Sequence, residues 1–263
     1  MEKKQYKIWW QSSTKIDLLP GYKEAVEAHA KKILGDQFLV EMHGVETSPN
    51  ATQWSYFEML NSRDMMENFF RAQEEGFDCI AIGYFSDPCL QEAREALDIP
   101  VVSIAENAIA WARMYGASAC IVTTDEVITT KKLAALIKEY GAENFAKVER
   151  CLMSLETMAK ALSDPEDAMK AYSAVCEQAA REGAEVIIPG CGLLSVLSTQ
   201  NHYCQVGDTG AIVLDVTGAL MKMAEAAIIL RERSGLMTSR RGKYRKPDDA
   251  QIERVRRSYG LIK

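Results

Sequence analysis

EGFDCIAIGYF (residues 75–85) and EGAEVIIPGCG (182–192) can be laid one over the other. Each runs Glu-Gly, an apolar residue, an acid and four residues of buried-strand character, then Gly and one variable residue. Each follows a stretch rich in Ala, Glu and Gln at helical spacing. The match extends outward. IWWQSS (8–13) resembles CIVTTD (120–125), both strands ending in a hydroxyl-bearing loop, and IPVVSIAEN (99–107) resembles AIVLDVTGA (211–219) more weakly. The offsets of 112, 107 and 112 residues are nearly equal, so the chain reads as an internal duplication.

Between these anchors, short apolar runs alternate with helix-length amphipathic stretches. YKIWW (6–10), QFLVEMHG (37–44), FDCIAIG (77–83) and IPVVSI (99–104) read as strands, as do SACIVTT (118–124), KVERCLM (147–153), AEVIIPG (184–190) and AIVLDV (211–216). Helical spacing is legible from about Gly21 to Leu34 and from Met65 to Glu75. Alternation of this kind means βαβ units and a mostly parallel sheet. The expected fold is α/β, with two pseudo-symmetric Rossmann-like halves, each a mostly parallel four-stranded sheet, and a cleft between them. Residues 1–105 with 213–232 form the first half, 106–212 the second, and 233–263 a basic C-terminal extension.

Ligands of parallel sheets bind at the carboxyl ends of the strands. The duplication therefore nominates the loops there: Gln11, Ser12 and Ser13; Gly83, Tyr84, Phe85 and Ser86; Thr123, Thr124 and Asp125; and Gly190, Cys191 and Gly192. Tyr84 and Cys191 occupy equivalent positions and would approach a ligand from opposite faces. The hydroxyls of Ser12, Ser13, Thr123 and Thr124 suit a carboxylate or imide, and equally suit ordinary helix capping.

Composition narrows the class. A chain of 263 residues with 48% hydrophobic and 26% charged residues buries a core without disulfides or metals. Its net charge of −6 makes the body a poor non-specific nucleic-acid binder. The charge is uneven: Arg231 to Lys263 holds eleven Lys and Arg against four acids. That tail reads either as a phosphate or nucleic-acid grip or as a segment docking on the acidic body or on a partner subunit, with a short helix from Asp248 to Tyr259; sparse aromatic interleaving favours docking. Seven cysteines without CxxC or zinc spacing read as thiols of a reduced cytoplasmic protein. No run approaches membrane-spanning length. His29, His43 and His202 are scattered and form no ligand set; His29 reads as exposed on a helix, and His202 as a loop residue that could reach the cleft. No Gly-rich nucleotide motif is present.

Cys191 lies in PGCGLL, directly after a strand and between glycines. A helix starting at Gly192 would point free amides at the thiol, lowering its pKa, and at any carboxylate or enolate oxygen beside it. The same spacing also fits a buried cysteine on a βα turn.

IAIGYFSDPCLQEAREALDIPVVSIAENA (80–108) resembles the aspartate/glutamate/hydantoin racemase superfamily, particularly its hydantoin racemase branch. The residues carrying the likeness are Phe85, Asp87, Pro88, Leu90, Ala93, Arg94, Glu95, Pro100, Val101, Val102 and Glu106, and GAEVIIPGCG (183–192) resembles the second family motif. The resemblance covers about residues 5 to 230. It implies cofactor-independent carbanion chemistry, in which two cysteines flank the substrate; one removes the α-proton and the other returns a proton from the opposite face. Cys191 matches the second cysteine, and Tyr84 stands where the first is expected.

Three readings of Tyr84 stand side by side: an opposite-face acid/base, a hydrogen-bonding or steric wall leaving single-cysteine chemistry, and a pocket-filling residue of a non-racemising relative. A phenol titrates near 10, which suits a proton donor better than a base. Cys89, five residues on, is a candidate substitute for the first cysteine but reads as pointing away from the cleft. Asp87 reads as a helix cap and Glu106 as support behind the site. Gln11-Ser12-Ser13 departs from the Asn-Pro-Asn type of loop found in hydantoin racemases.

The expected function is a cofactor-independent racemase or isomerase of a small carbon acid, such as a hydantoin, an amino acid or a related carboxylate. The alternatives are a single-cysteine decarboxylase resembling arylmalonate decarboxylase and a non-catalytic small-molecule-binding relative. The expected partners are a small-molecule substrate and further copies of the chain in a homo-oligomer, with no nucleic acid, membrane, metal or cofactor.

Overall fold

The computed structural model describes residues 4–18, 20–47, 54–124 and 127–263. The first sheet contains β1 (Tyr6–Gln11), β2 (Phe38–His43), β3 (Cys79–Ile82) and β4 (Val101–Ser103), in the order β2-β1-β3-β4. The second contains β5 (Ala119–Thr124), β6 (Ala146–Cys151), β7 (Val186–Pro189) and β8 (Ile212–Val213), in the order β6-β5-β7-β8. Every pairing within the sheets is parallel. The two sheets thus share one topology, the duplication read from the sequence.

Register refines that alignment by one residue. Ile80 pairs with Trp9, and its counterpart Ile187 pairs with Cys120. The first strands are therefore offset by 111 residues, not 112, and Ser12 and Ser13 correspond to Thr123 and Thr124. A single-residue slip moves every side chain to the other face. The observed register is the one that superposes the hydroxyls.

The central strands are short runs buried on both faces, CIAI in β3 and VIIP in β7. That is expected where helices cover both sides of a parallel sheet. The connecting helices are α1 (Tyr22–Leu34), α2 (Ser55–Glu74), α3 (Leu90–Ala96), α4 (Ile104–Tyr115), α5 (Val127–Glu139), α6 (Leu155–Lys160), α7 (Glu166–Arg181), α8 (Gly192–Gln200) and α9 (Val216–Ser234). Helix α1 buries Tyr22, Val26, Ala30 and Leu34, one stripe at a spacing of four. One core continues from the β1 face under α1 into the second sheet; a smaller one, with Trp9, Met65, Phe69, Ile80 and Ile82, fills the space under α2 and α3. Helix α9 packs on α1, α4 and β3, returning the chain to the first sheet.

The basic tail folds onto its own body. Arg240 donates to the carbonyls of Arg94 (2.6 Å), Glu95 (3.1 Å) and Leu97, closing the end of α3. Lys246 pairs with Asp98 at 2.5 Å. The last helix, α10 (Asp249–Ser258), lays Arg256 against Glu67 at 2.7 Å and over the Phe70 ring. Among the described residues no helix is long and apolar enough to cross a membrane.

Candidate active site

The turns after β3 and β7 are built alike. The Gly83 amide donates to the carbonyl of Gln11 at 2.9 Å, and the Gly190 amide to that of Val122 at 2.7 Å. Both glycines are required by space. A Cβ on Gly83 would overlap the Trp10 indole, and one on Gly190 would lie 2.6 Å from the Ile121 side chain. The turns meet across the seam: the Gly83 carbonyl oxygen lies 3.6 Å from where a Cβ on Gly192 would stand.

After this point the halves differ. Helix α8 begins at Gly192, with Cys191 at its N-cap in extended conformation. The backbone amides of Leu193 and Leu194 hydrogen-bond the thiol and favour its thiolate, but burial outweighs them and pushes the Cys191 thiol above its ordinary value. The helix is where the sequence places it; the direction of the thiol shift is the reverse of the expected lowering. In the first half, seven residues of turn separate Ile82 from α3. Tyr84 is half-buried and is not itself the N-cap of a helix; its carbonyl accepts from the Asp87 amide at 3.0 Å.

Asp87 is a cap, but of another helix than the adjacent one. Its carboxylate accepts from the amides of Ala105 (3.0 Å) and Glu106 (2.8 Å) at the start of α4, and from the Tyr140 hydroxyl (2.6 Å) across the seam. Burial raises its pKa to about 6 against these donors. Cys89, with φ of 62°, precedes α3 and turns its thiol to the Ser62 carbonyl at 3.3 Å; burial pushes that thiol to about 12. Glu106 is gripped by Arg94 through two bonds of 2.8 and 2.5 Å, which places it behind the turn rather than at it.

The remaining nominated residues divide. Ser13 is buried, and its hydroxyl has no hydrogen-bond partner among the described residues. Ser12 bonds Thr14 at 3.1 Å, and Thr123 makes a long 3.4 Å contact with the Gly190 carbonyl. Thr124 remains partly exposed at the end of β5. Three nominated residues are engaged within the protein. Gln11 is fully buried, its amide taken by Trp9 (2.9 Å), Asn68 (3.2 Å) and the Ser12 carbonyl (2.7 Å). Phe85 packs into the core because its ring is worth more there than on a polar cleft wall. Ser86 bonds Glu58, which pairs with Lys132 of α5 at 2.7 Å, so it belongs to a bridge between the halves beside a pocket of about 430 Å³ between α2 and α3. Asp125 lies outside the described residues.

The histidines stand apart from the turns. His43 stacks on Trp9 and is held neutral, its pKa lowered to about 4 by burial and nearby cations. His29 is not exposed: it bonds Asp215, the N-cap of α9, at 2.7 Å. His202 follows α8, at the opposite end of that helix from Cys191.

One residue at the site was not nominated. Tyr22, the first residue of α1, is buried with its hydroxyl against Gly192, and a Cβ there would overlap its oxygen. Burial and the charge of a Cys191 thiolate push its phenol above the ordinary value. In the sequence it reads as the first member of the buried α1 stripe, which it also is.

The Asp/Glu/hydantoin racemase family model matches residues 21–224, a span holding both turns. The chain belongs to that family. Its curated relatives include a hydantoin racemase from Paenarthrobacter aurescens, 28% identical over 87% of this chain and 93% of that one, and another from Pseudomonas sp. (strain NS671), 26% identical over 90% and 91%. The solved allantoin racemase from Pseudomonas fluorescens shares the fold with a TM-score of 0.77, at 24% identity over 92% of this chain and 97% of that one. The curated relatives named here are hydantoin racemases, the branch whose motifs the stretches around Asp87 and Cys191 resemble.

Proposed function

We propose that the chain is a cofactor-independent racemase acting on a small cyclic or carboxylic carbon acid of the hydantoin class. The observation that carries this reading is the placement of Cys191: a thiol at the N-terminus of α8, at the carboxyl end of β7, facing the equivalent turn of the other half. The hydantoin racemase relatives favour a substrate whose α-carbon bears a proton flanked by a carbonyl.

The Cys191 thiolate takes the α-proton, the C–H electron pair moves onto the adjacent carbonyl, and a thiol and an enolate result. The α8 amides lie where negative charge on thiolate or enolate oxygen is stabilised. Tyr84, on the other face, gives its hydroxyl proton to the α-carbon, leaving a phenolate and the inverted product. Return of the proton from thiol to phenolate through solvent restores the starting state. The reverse direction exchanges the roles. Ser13 offers a spare buried hydroxyl to a carbonyl or imide of the substrate, and a buried hydroxyl otherwise left unpaired costs free energy.

A second reading rests on the asymmetry of the two turns. Of the two turns, only that of Cys191 runs directly into a helix, an arrangement that favours one-sided protonation of an enolate after loss of carbon dioxide. Hydrogen exchange at the α-carbon of 5-substituted hydantoins in deuterated water, with loss of optical rotation, tests the racemase. Carbon dioxide release from an arylmalonate with a stereochemically pure product identifies the decarboxylase. Ligand-induced thermal stabilisation with neither reaction identifies a binding protein.

A further inference from the structure

We infer that Tyr22 is a positioning residue for Cys191, its hydroxyl donating a hydrogen bond to the thiolate from the opposite half of the molecule. The inference rests on the reading of Cys191 as the proton-transferring thiol.

The φ of Gly192 is not in the left-handed region, so backbone conformation does not require glycine here. Space does: the Tyr22 hydroxyl oxygen occupies the volume a Cβ would fill, and Cζ of the same ring would stand 3.3 Å from it. The absence of a side chain thus brings a phenol oxygen against the turn that bears the thiol. Tyr22 arrives there because Gly21, with φ of 80°, turns the chain into α1 just before it. The ring is anchored in the Tyr22, Val26, Ala30 stripe, so the hydroxyl is held rather than free to swing.

The chemistry of the site calls for such a donor. Two amides, of Leu193 and Leu194, already bond the thiol, yet burial prevails and the thiol remains hard to ionise. A hydrogen bond donated to the charged form favours that form. Tyr22 is suited to it because burial and Cys191 itself keep the phenol protonated; it cannot compete as a base. Tyr22 therefore has no proton-transfer step of its own, in contrast to Tyr84.

The test reads the thiol without any substrate. In the full-length protein, alkylation of Cys191 by iodoacetamide is followed across pH by mass spectrometry of its peptide, which separates it from the other six cysteines. Tyr22→Phe keeps the ring and removes the donor. Its midpoint for Cys191 alkylation should move up by about one pH unit, with roughly tenfold slower alkylation at neutral pH. Gly192→Ala, which forces the hydroxyl away while leaving Tyr22 present, should move the midpoint in the same direction, and it carries the test if Tyr22→Phe fails to fold by circular dichroism. A midpoint that stays in place or falls in folded Tyr22→Phe, or in Gly192→Ala where that variant carries the test, overturns the inference. Failure of the racemase reading is seen separately, as absence of hydrogen exchange in the unaltered protein.

Discussion

Gly83 and Gly192 face one another across the seam, the carbonyl of the first 3.6 Å from the position of a Cβ on the second. They come from equivalent turns of two sheets with the same strand order. This contact sets Tyr84 and Cys191 in neighbouring turns that differ in one respect: a helix starts at the second and not at the first. In the proposed reaction the helix N-terminus puts anion stabilisation on the Cys191 side.

Gly83→Ala should destabilise the protein through the core. The added methyl collides with the Trp10 indole, which is fully buried and has no room to retreat. Overpacking of this kind costs about 1–3 kcal/mol. Thermal unfolding should show a lower Tm; an unchanged Tm would mean that the indole shifts freely.

Tyr84→Phe separates the two faces. Removing a general acid typically costs about 10²–10⁴-fold. Inversion should fall by that order while Cys191-dependent exchange at one face of the substrate persists. Optical rotation and NMR followed together check this, and equal loss of both signals would assign Tyr84 to binding instead.

The pH dependence follows from the raised Cys191 thiol. The proposed reaction requires the thiolate, and a raised pKa leaves the thiol protonated at neutral pH. The kcat/KM for racemisation should therefore climb with pH on the alkaline side, with the same midpoint as Cys191 alkylation. A flat profile from acid to neutral pH would show the thiol already ionised.

Asp87 should titrate at about 6, visible in the carboxyl carbon shifts of its NMR spectrum. Between the ordinary carboxylate value near 4 and about 6, the folded chain holds a proton the unfolded chain has released. This group's contribution to stability therefore falls as pH rises through that window and is level above it. Tyr140→Phe removes a donor to the carboxylate and should move the titration further up. A midpoint near 4 in either protein would contradict the burial argument.

All eight strands were legible because apolar runs bounded by Gly, Pro and hydroxyl residues are local signals. The duplication added the pairing of Tyr84 with Cys191. What escaped is set by distance in sequence. Helix α2 begins at Ser55, ten residues before its stripe is readable, because Tyr56, Met59 and Leu60 are exposed and leave no amphipathic pattern in its first turns. The Asp-Pro signal at Asp87 announces a cap correctly, yet the capped helix starts seventeen residues later. Gln11 sits at the right strand end, but on the face turned towards Trp9 and Asn68. Tyr22 carries a core residue's signature, and only the missing side chain of Gly192 shows what its hydroxyl touches. The thiol shift of Cys191 depends on tertiary burial, which no local motif records.

The most direct measurement is α-hydrogen exchange of 5-substituted hydantoins in deuterated water, comparing the unaltered protein with Cys191→Ala. Exchange with racemisation in the first, and its loss by at least about 10³-fold in a folded Cys191→Ala, is the predicted result. Exchange that survives the substitution undiminished would place the proton transfer elsewhere and contradict the central role of Cys191.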